Sequence, residues 1–320
     1  MRTILVTGAS GIIGYGILRS LKKSGRDLKL IGTTMYDDSA APGFCDIFEL
    51  APKTSDPGYI DWLLRIIKKY GVDMIIPGIE DDTYAWMEHR ATLKESGARV
   101  LLNNPHLISL CRDKWLFYED LEKLASPYRI ETTLALDYNF LENKFGLPFL
   151  LKPRHGHGSK GIVRVDSRET FLKYNQGIGK NLMVQPIIGN DNEEFTTSAF
   201  CDGNGSFYGS MTLRRKLARD GYTEKAEVVT IDAMNRALSE LCLFFKPFGP
   251  TNFQFRQDDE GLKLLEINPR ISSSTSIRTA FGYNESLMAI DLLLENKIPQ
   301  QPIIIPGKAV RYMEDLIFYS

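Results

Sequence analysis

The sequence has little cysteine and almost no net charge. Its 320 residues include only four cysteines, Cys45, Cys111, Cys201 and Cys242, and none stands in a Cys-x-x-Cys pair. Widely spaced cysteines of this kind are typical of reduced thiols, so we expect a cytoplasmic protein without a disulfide framework. The formal charge is −1 at pH 7, so overall electrostatics give no case for binding nucleic acid or an anionic membrane.

Long hydrophobic runs are also missing from the sequence. No apolar stretch approaches the ~18 residues of a transmembrane helix, so we expect no membrane span. The hydrophobic content of 43% and the charged content of 25% are those of an ordinary globular protein. A chain of 320 residues exceeds the ~100–200 residues of a typical domain, which predicts more than one domain.

Strand and helix patterns alternate over residues 1 to about 105. The predicted strands and helices are Ile4–Val6, Leu28–Ile31, Tyr59–Tyr70, Asp73–Pro77, Asp81–Ser96 and Arg99–Leu102. Such alternation is typical of a parallel, doubly wound sheet with helices on its faces. The first part of the chain is therefore predicted to be an α/β domain.

A glycine pattern, Gly8-x-x-Gly11-x-x-Gly14, follows the first strand. It also occurs in NAD-dependent sugar epimerases and dehydrogenases, but alone it is a weak signal. The acidic residue expected at the end of the second strand is missing, because that strand ends at Thr34. None of the fourteen tyrosines has a lysine four residues later. A tight turn that packs the helix on the strand is favoured, and NAD binding remains the alternative.

Two alternating runs near the end of the chain, Thr251–Arg256 and Gly261–Asn268, predict a β-hairpin. A three-residue loop, 259–261, places Phe253 beside Ile267 on one apolar face and keeps polar residues on the other. A two-residue loop would set Phe253 against Glu266 and mix polar and apolar residues on both faces. The hydrophobic pattern therefore predicts the three-residue loop.

The polar face of this hairpin carries three oxygen donors, Gln254, Glu266 and Asn268, within roughly 7 Å. Mg²⁺ prefers oxygen ligands at about 2.0–2.1 Å and takes several of them from phosphates. Arg270 follows Pro269, whose missing N–H ends the strand, so its guanidinium can face an anion beside the metal. The alternative for each residue alone is a solvated strand face.

A second polar feature is Lys152, near the end of the apolar strand pattern Pro148–Pro153. A buried ammonium group needs an anion, and a phosphate supplies one. The following loop contains Gly156, Gly158, Ser159 and Gly161, whose flexibility frees backbone N–H groups for phosphate oxygens. The sequence therefore predicts a phosphate-binding strand and loop.

Together, Asn252-x-Gln254 and Glu266-Ile267-Asn268-Pro269-Arg270 resemble the metal-binding hairpin of ATP-grasp enzymes, in the branch similar to the carbamoyl phosphate synthetase large subunit. The resemblance implies an α/β domain over 1–109 and an α+β ATP-grasp domain over 110–320, whose two subdomains clasp ATP. The lid subdomain is expected at about 126–188 and the metal-binding subdomain at about 189–320.

The resemblance also implies roles for individual residues. Residues 155–161 form a phosphate lid, Lys152 and Arg270 act in catalysis, and Mg²⁺, one or two ions with Mn²⁺ as a substitute, binds the hairpin. Glu194 matches the ribose-binding acid, with Glu193 as a rival. The residues expected to contact ATP are Lys114, Lys152, Gly156, Gly158, Ser159, Gly161, Gln185, Pro186, Ile188 and Glu194.

The reaction implied by the resemblance is the formation of an acyl phosphate from ATP and a carboxylate, which an amine then attacks. The partners are thus small-molecule carboxylates and amines, and a homodimer is compatible with the resemblance. A nucleotide-binding protein without turnover is a further alternative. The roles of Glu80, Asp81, Arg214, Arg215 and Arg278 stay open between substrate contact and ordinary structural positions.

Overall fold

The computed structural model describes residues 1–156, 160–219 and 221–318. In this part of the chain the strands form a parallel sheet near the N-terminus, a small antiparallel sheet, and a large antiparallel sheet. The predicted fold class, an α/β unit followed by an α+β unit, is confirmed.

The parallel sheet contains β1 to β5, at Arg2–Val6, Leu28–Thr34, Ile47–Leu50, Met74–Ile76 and Arg99–Val100. The strand order is β3-β2-β1-β4-β5, and each neighbouring pair is parallel, as the alternation predicts. Strand β3 was not predicted, because it is a short edge strand whose residues are partly or largely exposed and show no clear apolar pattern. The predicted strands at 4–6, 28–31, 73–77 and 99–102 are confirmed, with small differences at their ends.

The helices of this unit are α1 to α4, at Ile12–Lys22, Tyr59–Tyr70, Glu80–Glu88 and Arg90–Glu95. Helix α2 matches its prediction at both ends, and it stops at Gly71, which adopts the left-handed conformation at φ +59°. The single helix predicted over 81–96 is wrong, because the backbone breaks at His89, where φ is −104°.

The glycine turn before α1 is required by close packing. A Cβ atom on Gly14 would lie 2.2 Å from the carbonyl oxygen of Gly8, and Gly8 itself has a φ of +57°. Gly14 does not tolerate a side chain because the helix passes directly over the turn. Gly8 does not because its backbone is left-handed and a Cβ atom there would lie 2.5 Å from the Ile79 side chain. The pattern is thus explained by packing between β1 and α1, as the favoured interpretation holds.

The crossover region consists of α5 at Pro105–Cys111 and α6 at Lys114–Lys123. Asp113 separates them and caps α6 by accepting a hydrogen bond from the Trp115 N–H at 2.9 Å. The region between the crossover and the large sheet contains α7 at Tyr138–Phe145, β6 at Phe149–Pro153, β7 at Val163–Val165, α8 at Arg168–Tyr174 and β8 at Leu182–Pro186. The three strands form the small antiparallel sheet in the order β7-β6-β8.

The large antiparallel sheet has the order β13-β12-β9-β10-β11-β14. Its strands β9 to β14 lie at Glu194–Asp202, Phe207–Leu217, Thr223–Val228, Phe248–Asp258, Gly261–Asn268 and Lys308–Val310. The helices that accompany it are α9 to α11, at Asp232–Phe245, Thr275–Ala280 and Glu285–Glu295. The strands β9, β12 and β10 run side by side through the middle of the sheet, and their polar side chains form part of the candidate site.

The β12–β13 hairpin has two registers. Gln254 lies opposite Glu266, as predicted, but nearer the turn Phe255 lies opposite Leu264, so Leu265 forms a one-residue β-bulge. The turn itself closes with a two-residue loop between Asp258 and Gly261, and the predicted three-residue loop is therefore wrong. Both loop lengths keep the apolar residues on one face. The two-residue loop shifts the pairing by one residue, and the bulge at Leu265 shifts it back, so that Gln254 still lies opposite Glu266.

One of the hydrophobic clusters joins the first sheet to the C-terminal helices. Ile4 of β1 and Ile17 of α1 belong to the same buried cluster as Ile277 of α10 and Met288 of α11. The two predicted domains therefore share buried apolar surface, which favours a fixed relative position. The boundaries predicted for the domains, 1–109 and 110–320, remain predictions.

Candidate active site

A cavity of about 340 Å³ lies between the small sheet, the large sheet and the start of α1. Its walls bring together residues from widely separated parts of the sequence. They include Ile12, Ile13, Lys114, Lys152, Gly156, Lys160, Gln185, Pro186, Ile188, Glu194, Arg215, Gln254, Arg256, Glu266, Asn268, Arg270, Ser272 and Ser273. Most of the predicted site residues that the structure describes thus share one cavity.

The hairpin presents its three oxygen donors on the cavity side. Gln254 and Glu266 are a cross-strand pair, and the Asn268 Nδ2 atom donates to Glu266 Oε1 at 3.1 Å. Among the described residues no group of three or more His, Cys, Asp and Glu side chains could hold a metal. One carboxylate with two amide oxygens suits Mg²⁺, which completes its shell from phosphates and water. The donor set therefore fits a metal that arrives with a nucleotide.

Arg270 lies at the edge of this donor set. Its Nη2 atom is 3.1 Å from Asn268 Oδ1 and 2.9 Å from Glu80 Oε2. Glu80, in the first turn of α3, also accepts from the Tyr84 hydroxyl at 2.7 Å. The structure therefore brings an acid of the N-terminal unit to the predicted catalytic arginine.

The two acids after Glu80 occupy different places. Asp81 is exposed, whereas Asp82 is buried and accepts hydrogen bonds from the Tyr59 hydroxyl at 2.7 Å and the Thr54 hydroxyl at 2.6 Å. Burial raises the pKa of the Asp82 carboxyl above its ordinary value. Glu80 thus contacts Arg270 of the cavity wall, whereas the hydrogen bonds of Asp82 stay within the N-terminal unit.

Lys152 is a buried cation, with only 9% of its surface exposed. Its ammonium lies 3.4 Å from the carbonyl oxygen of Leu265 and 5.6 Å from the centre of the Tyr118 ring. Burial lowers the pKa of the Lys152 ammonium, an effect that the nearby Glu266 carboxylate opposes. The bulge in the β12–β13 hairpin therefore contributes to the position of the Lys152 ammonium, because the carbonyl oxygen that this ammonium contacts belongs to the bulged residue Leu265.

Lys114 stands at the start of α6 and reaches the same part of the cavity. Its ammonium donates to the Gly156 carbonyl oxygen, and its backbone N–H donates to the Arg154 carbonyl oxygen at 2.8 Å. Burial is the largest cause that lowers the pKa of the Lys114 ammonium, and the charge of Lys152 acts in the same direction. The two lysines therefore place two cations beside the glycine loop.

The glycine loop is described at both ends. Gly156 and Gly161 have φ values of +100° and +76°, which favour glycine. Gly158 and Ser159, together with His157, lie outside the described residues. Lys160, which was not predicted as a site residue, lines the cavity.

The predicted adenine hinge lies at the end of β8. Gln185, Pro186 and Ile188 line the cavity, and the Gln185 Nε2 atom donates to the Thr132 hydroxyl at 2.8 Å. This hydrogen bond fixes the orientation of the Gln185 side-chain amide. Contact between this hinge and adenine remains a prediction.

Glu194 lines the cavity, is nearly fully buried, and has arginines on both carboxylate oxygens. Arg215 donates to its Oε1 atom at 3.0 and 3.1 Å, and Arg256 donates to its Oε2 atom at 2.9 and 3.0 Å. The rival Glu193 is half-buried, and its backbone carbonyl accepts from the Gln257 N–H at 3.1 Å. The placement of the side chains favours Glu194 as the ribose-facing acid, a role that stays a prediction.

Arg256 was not predicted as a site residue, and the role of Arg215 was left open together with that of Arg214. The neighbouring Arg214 points away from the cavity and pairs with Glu227. A signal did exist in the sequence, because strand alternation places Arg215 on the same face as the buried Leu213 and turns Arg214 outward.

Arg278, one of the residues left open, lies beneath the cavity wall with no exposed surface. Its guanidinium donates to the Ser272 hydroxyl at 2.8 Å and to Asn252 Oδ1 at 2.6 Å, and pairs with Glu285 at 3.4 Å. Burial lowers the pKa of this guanidinium. Arg278 thus supports Ser272, which lines the cavity, without lining it itself.

The part of the chain that the structure describes contains no helix long and apolar enough to cross a membrane.

Two family models match the chain. Residues 4–101 match a PylC-like N-terminal domain, and residues 179–316 match a family described as ATP-grasp in the biosynthetic pathway with Ter operon. The carbamoyl phosphate synthase large chain of Thermotoga sp. strain RQ2 is 22% identical in an alignment 335 positions long, gaps included, that covers 96% of this chain. The match covers 30% of that relative, so the chain spans less than a third of its length.

Solved structures share the fold over almost the whole chain. N5-carboxyaminoimidazole synthetase from Staphylococcus aureus has a TM-score of 0.72 and 18% identity, covering 95% of this chain and 80% of its own. The biotin carboxylase domain of Hydrogenobacter thermophilus 2-oxoglutarate carboxylase, a dimer solved with MgADP, ADP and bicarbonate, has a TM-score of 0.70 and 17% identity. Here the match covers 96% of this chain and 73% of that one. The resemblance inferred from the hairpin is confirmed, and NAD binding receives no support from these relatives.

Proposed function

Given that this chain belongs to the ATP-grasp superfamily, in the branch similar to the carbamoyl phosphate synthase large chain, we propose that it is an ATP- and Mg²⁺-dependent ligase. The enzyme activates a small-molecule carboxylate as an acyl phosphate, which an amine then attacks. The products are the amide, ADP and inorganic phosphate.

One observation carries this proposal. The oxygen donors of the β12–β13 hairpin share a cavity with the ammonium groups of Lys114 and Lys152. Glu266, on the hairpin, influences the pKa of both ammonium groups, so the opposite charges are close enough to interact. A site with metal ligands on one wall and cations on another suits the terminal phosphates of ATP.

The nucleotide would lie along the cavity with its adenine at the β8 hinge. Backbone carbonyls at Gln185 and Pro186 would accept from the adenine amino group, and the Ile188 N–H would serve the ring. Glu194 would face the ribose. This orientation directs the triphosphate towards Lys152 and the hairpin.

At the phosphate end, Gln254, Glu266 and Asn268 would hold Mg²⁺, which offsets negative charge on the phosphates when bound. Lys114 and Lys152 would bind phosphate oxygens, and the burial of Lys152, which is 9% exposed, strengthens its electrostatic attraction.

The acceptor carboxylate would lie beside Arg270, where Ser272 and Ser273 line the cavity. One carboxylate oxygen attacks the γ-phosphorus, the bond to the β-phosphate oxygen breaks, and ADP leaves. The amine then attacks the acyl carbon and displaces inorganic phosphate. Arg270 would orient the acceptor by its planar pair of N–H groups.

The test is a product assay with ATP, Mg²⁺ and hydroxylamine, run across a panel of bicarbonate and small carboxylic acids. Formation of hydroxamate together with ADP supports the acyl phosphate. Release of AMP and pyrophosphate from ATP would contradict it, because adenylation breaks the bond between the α- and β-phosphates instead of the bond to the γ-phosphate.

The remaining alternatives are separated by thermal stability. A ligand at a hundred times its dissociation constant stabilises a protein by about 2.7 kcal/mol. Stabilisation by ATP-Mg²⁺ without ADP release on any acceptor would favour a binding protein without turnover. Stabilisation by NAD but not by ATP-Mg²⁺ would contradict the proposal.

A further inference from the structure

Arg215 joins the ribose side of the cavity to the metal side. It lies on β10, is 7% exposed, and donates through Nη2 to Gln254 Oε1 at 2.6 Å and to Glu194 Oε1 at 3.0 Å. Its Nε atom donates to the same Glu194 oxygen at 3.1 Å. One guanidinium therefore contacts both the predicted ribose-binding acid and a predicted metal ligand.

The sheet fixes this arrangement. Strand β9 lies between β10 and β12, so Glu194 is flanked by Arg215 on one side and by Arg256 on the other. Gln254, two residues before Arg256 on β12, points to the same face of the sheet. Removing Arg215 would leave Glu194 paired with Arg256, and its carboxylate would keep a cationic partner.

The contact with Gln254 conflicts with metal binding. In this structure the Gln254 side-chain oxygen accepts a short hydrogen bond from a positively charged group. A divalent cation on the same oxygen would be repelled by that guanidinium, and the repulsion is strong where the surroundings are largely buried. The guanidinium takes one lone pair of that oxygen and its charge opposes a cation on the other, so Gln254 becomes a good metal ligand after the guanidinium has moved.

A nucleotide supplies a reason for this movement. Arg215 lines the cavity, so phosphate oxygens in the cavity offer its guanidinium a charged acceptor in place of a neutral amide. Its two bonds to Glu194 hold it close while the bond to Gln254 is exchanged.

We propose that Arg215 is a positioning residue that makes metal binding depend on the nucleotide. Without nucleotide its guanidinium occupies Gln254 and excludes a divalent cation from the hairpin. With nucleotide bound, the guanidinium pairs with a phosphate, and the Gln254 oxygen becomes available to the metal. This inference rests on the proposed binding of ATP and Mg²⁺.

The experiment measures the binding of Mn²⁺ to the whole protein by electron paramagnetic resonance of the free ion, with and without ADP. The wild-type protein should bind Mn²⁺ at least 10-fold more tightly with ADP than without it. Arg215→Met should bind Mn²⁺ without ADP at least 10-fold more tightly than the wild type does. The enhancement by ADP should shrink in this variant.

Two further variants test the cause. Arg214→Met is the matched control, because Arg214 is the next residue on β10 and pairs outside the cavity with Glu227; it should behave as the wild type. Arg215→Lys keeps the positive charge and should still exclude Mn²⁺ when ADP is absent. Arg215→Gln, a second neutral replacement, should match Arg215→Met and serves if that variant does not fold.

The outcomes separate this inference from the proposed function. Equal Mn²⁺ affinity of the wild type with and without ADP overturns the role of Arg215 but leaves the proposed activity intact. Folded neutral variants that bind Mn²⁺ no better than the wild type without ADP overturn it as well. No Mn²⁺ binding by the wild type even with ADP would overturn both.

Discussion

The Oε2 atom of Glu80 accepts a hydrogen bond from the Nη2 atom of Arg270 at 2.9 Å. The two residues are 190 positions apart in the chain, and their side chains are largely buried. The ion pair links the first turn of α3 to the end of the β12–β13 hairpin. The N-terminal unit thus helps to orient the arginine that the proposed reaction uses.

We expect Arg270→Ala to reduce hydroxamate formation by about 10²-fold or more, as removal of a charge-stabilising donor does in other enzymes. Glu80→Gln should cause a smaller loss, because glutamine keeps a hydrogen-bond acceptor but not the charge that orients the guanidinium. The measurement is the initial rate of hydroxamate formation at saturating ATP.

Glu88→Gln is the control for this series. Glu88 lies on the same helix as Glu80. It forms a long ion pair of 3.8 Å with Arg112, and both side chains of this pair are exposed. Its rate should equal the wild-type rate. A Glu80→Gln rate equal to that of the wild type would contradict the orienting role of Glu80.

Glu266→Ala should abolish turnover and leave the fold and most of the nucleotide affinity intact. Its carboxylate is the charged member of the hairpin donor set, so its loss removes most of the electrostatic attraction for Mg²⁺. ADP production and the binding of a fluorescent adenine nucleotide are measured on the same protein.

Glu260→Ala is the matched hairpin control, because Glu260 is exposed and pairs only with Lys263 among the ion pairs of the described residues. Exposed pairs of this kind contribute little to stability. Full ADP production by folded Glu266→Ala would show that this carboxylate is an ordinary solvated side chain.

Lys152→Met should bind ATP much more weakly yet unfold at a higher denaturant concentration than the wild type near pH 7. Burial lowers the pKa of the Lys152 ammonium in the folded protein, while the unfolded value is about 10.4. Between these two values the unfolded chain binds more protons, so the wild-type free energy of unfolding rises with pH. The amount by which the free energy of unfolding of Lys152→Met exceeds that of the wild type should therefore be largest below the lowered pKa of Lys152 and should vanish above about pH 10.4.

Urea unfolding of both proteins between pH 7 and pH 10.5 measures this difference. Lys173→Met, which removes an exposed lysine that pairs with Glu169 on α8, should show no such pH-dependent gain. A wild type more stable than Lys152→Met at every pH would contradict the cost assigned to the buried ammonium.

Arg278→Met should lower the free energy of unfolding by about 3–5 kcal/mol, because it leaves the fully buried Glu285 carboxylate without its cation. Denaturant titration gives the value. The control is Arg236→Met, since Arg236 and Glu240 form an exposed pair on α9 whose loss should not be measurable. Equal stabilities for the two variants would contradict the structural role of Arg278.

The sequence was sufficient to predict the two units of the fold and the pairing of Gln254 with Glu266. Long periodic segments such as α2 were predicted at both ends, because an amphipathic pattern and a C-terminal glycine agree there. The bulge at Leu265 was not predictable, since Leu264 and Leu265 are equally apolar and either can face the core. The turn was consequently assigned the wrong length.

Contacts between distant elements explain the rest of what the sequence did not reveal. Glu80 and Asp82 are near neighbours of one acidic run, yet one meets Arg270 and the other meets Tyr59. That choice depends on how α3 packs against the hairpin, which no local pattern contains. The pairing of Arg215 with Glu194 likewise depends on the order of β9 and β10 in the sheet.

The bulge at Leu265 also divides the hairpin into two halves with different tolerance to changes of length. The bulge and four residue pairs separate the turn from the Gln254–Glu266 pair. Residues inserted between Asp258 and Gly261 would therefore extend the loop and leave that pair in place. A single residue inserted between Glu266 and Asn268 would instead turn one of these side chains to the opposite face. The tip of the hairpin is therefore a suitable position for a fluorescent label, and the strand beyond the bulge is not.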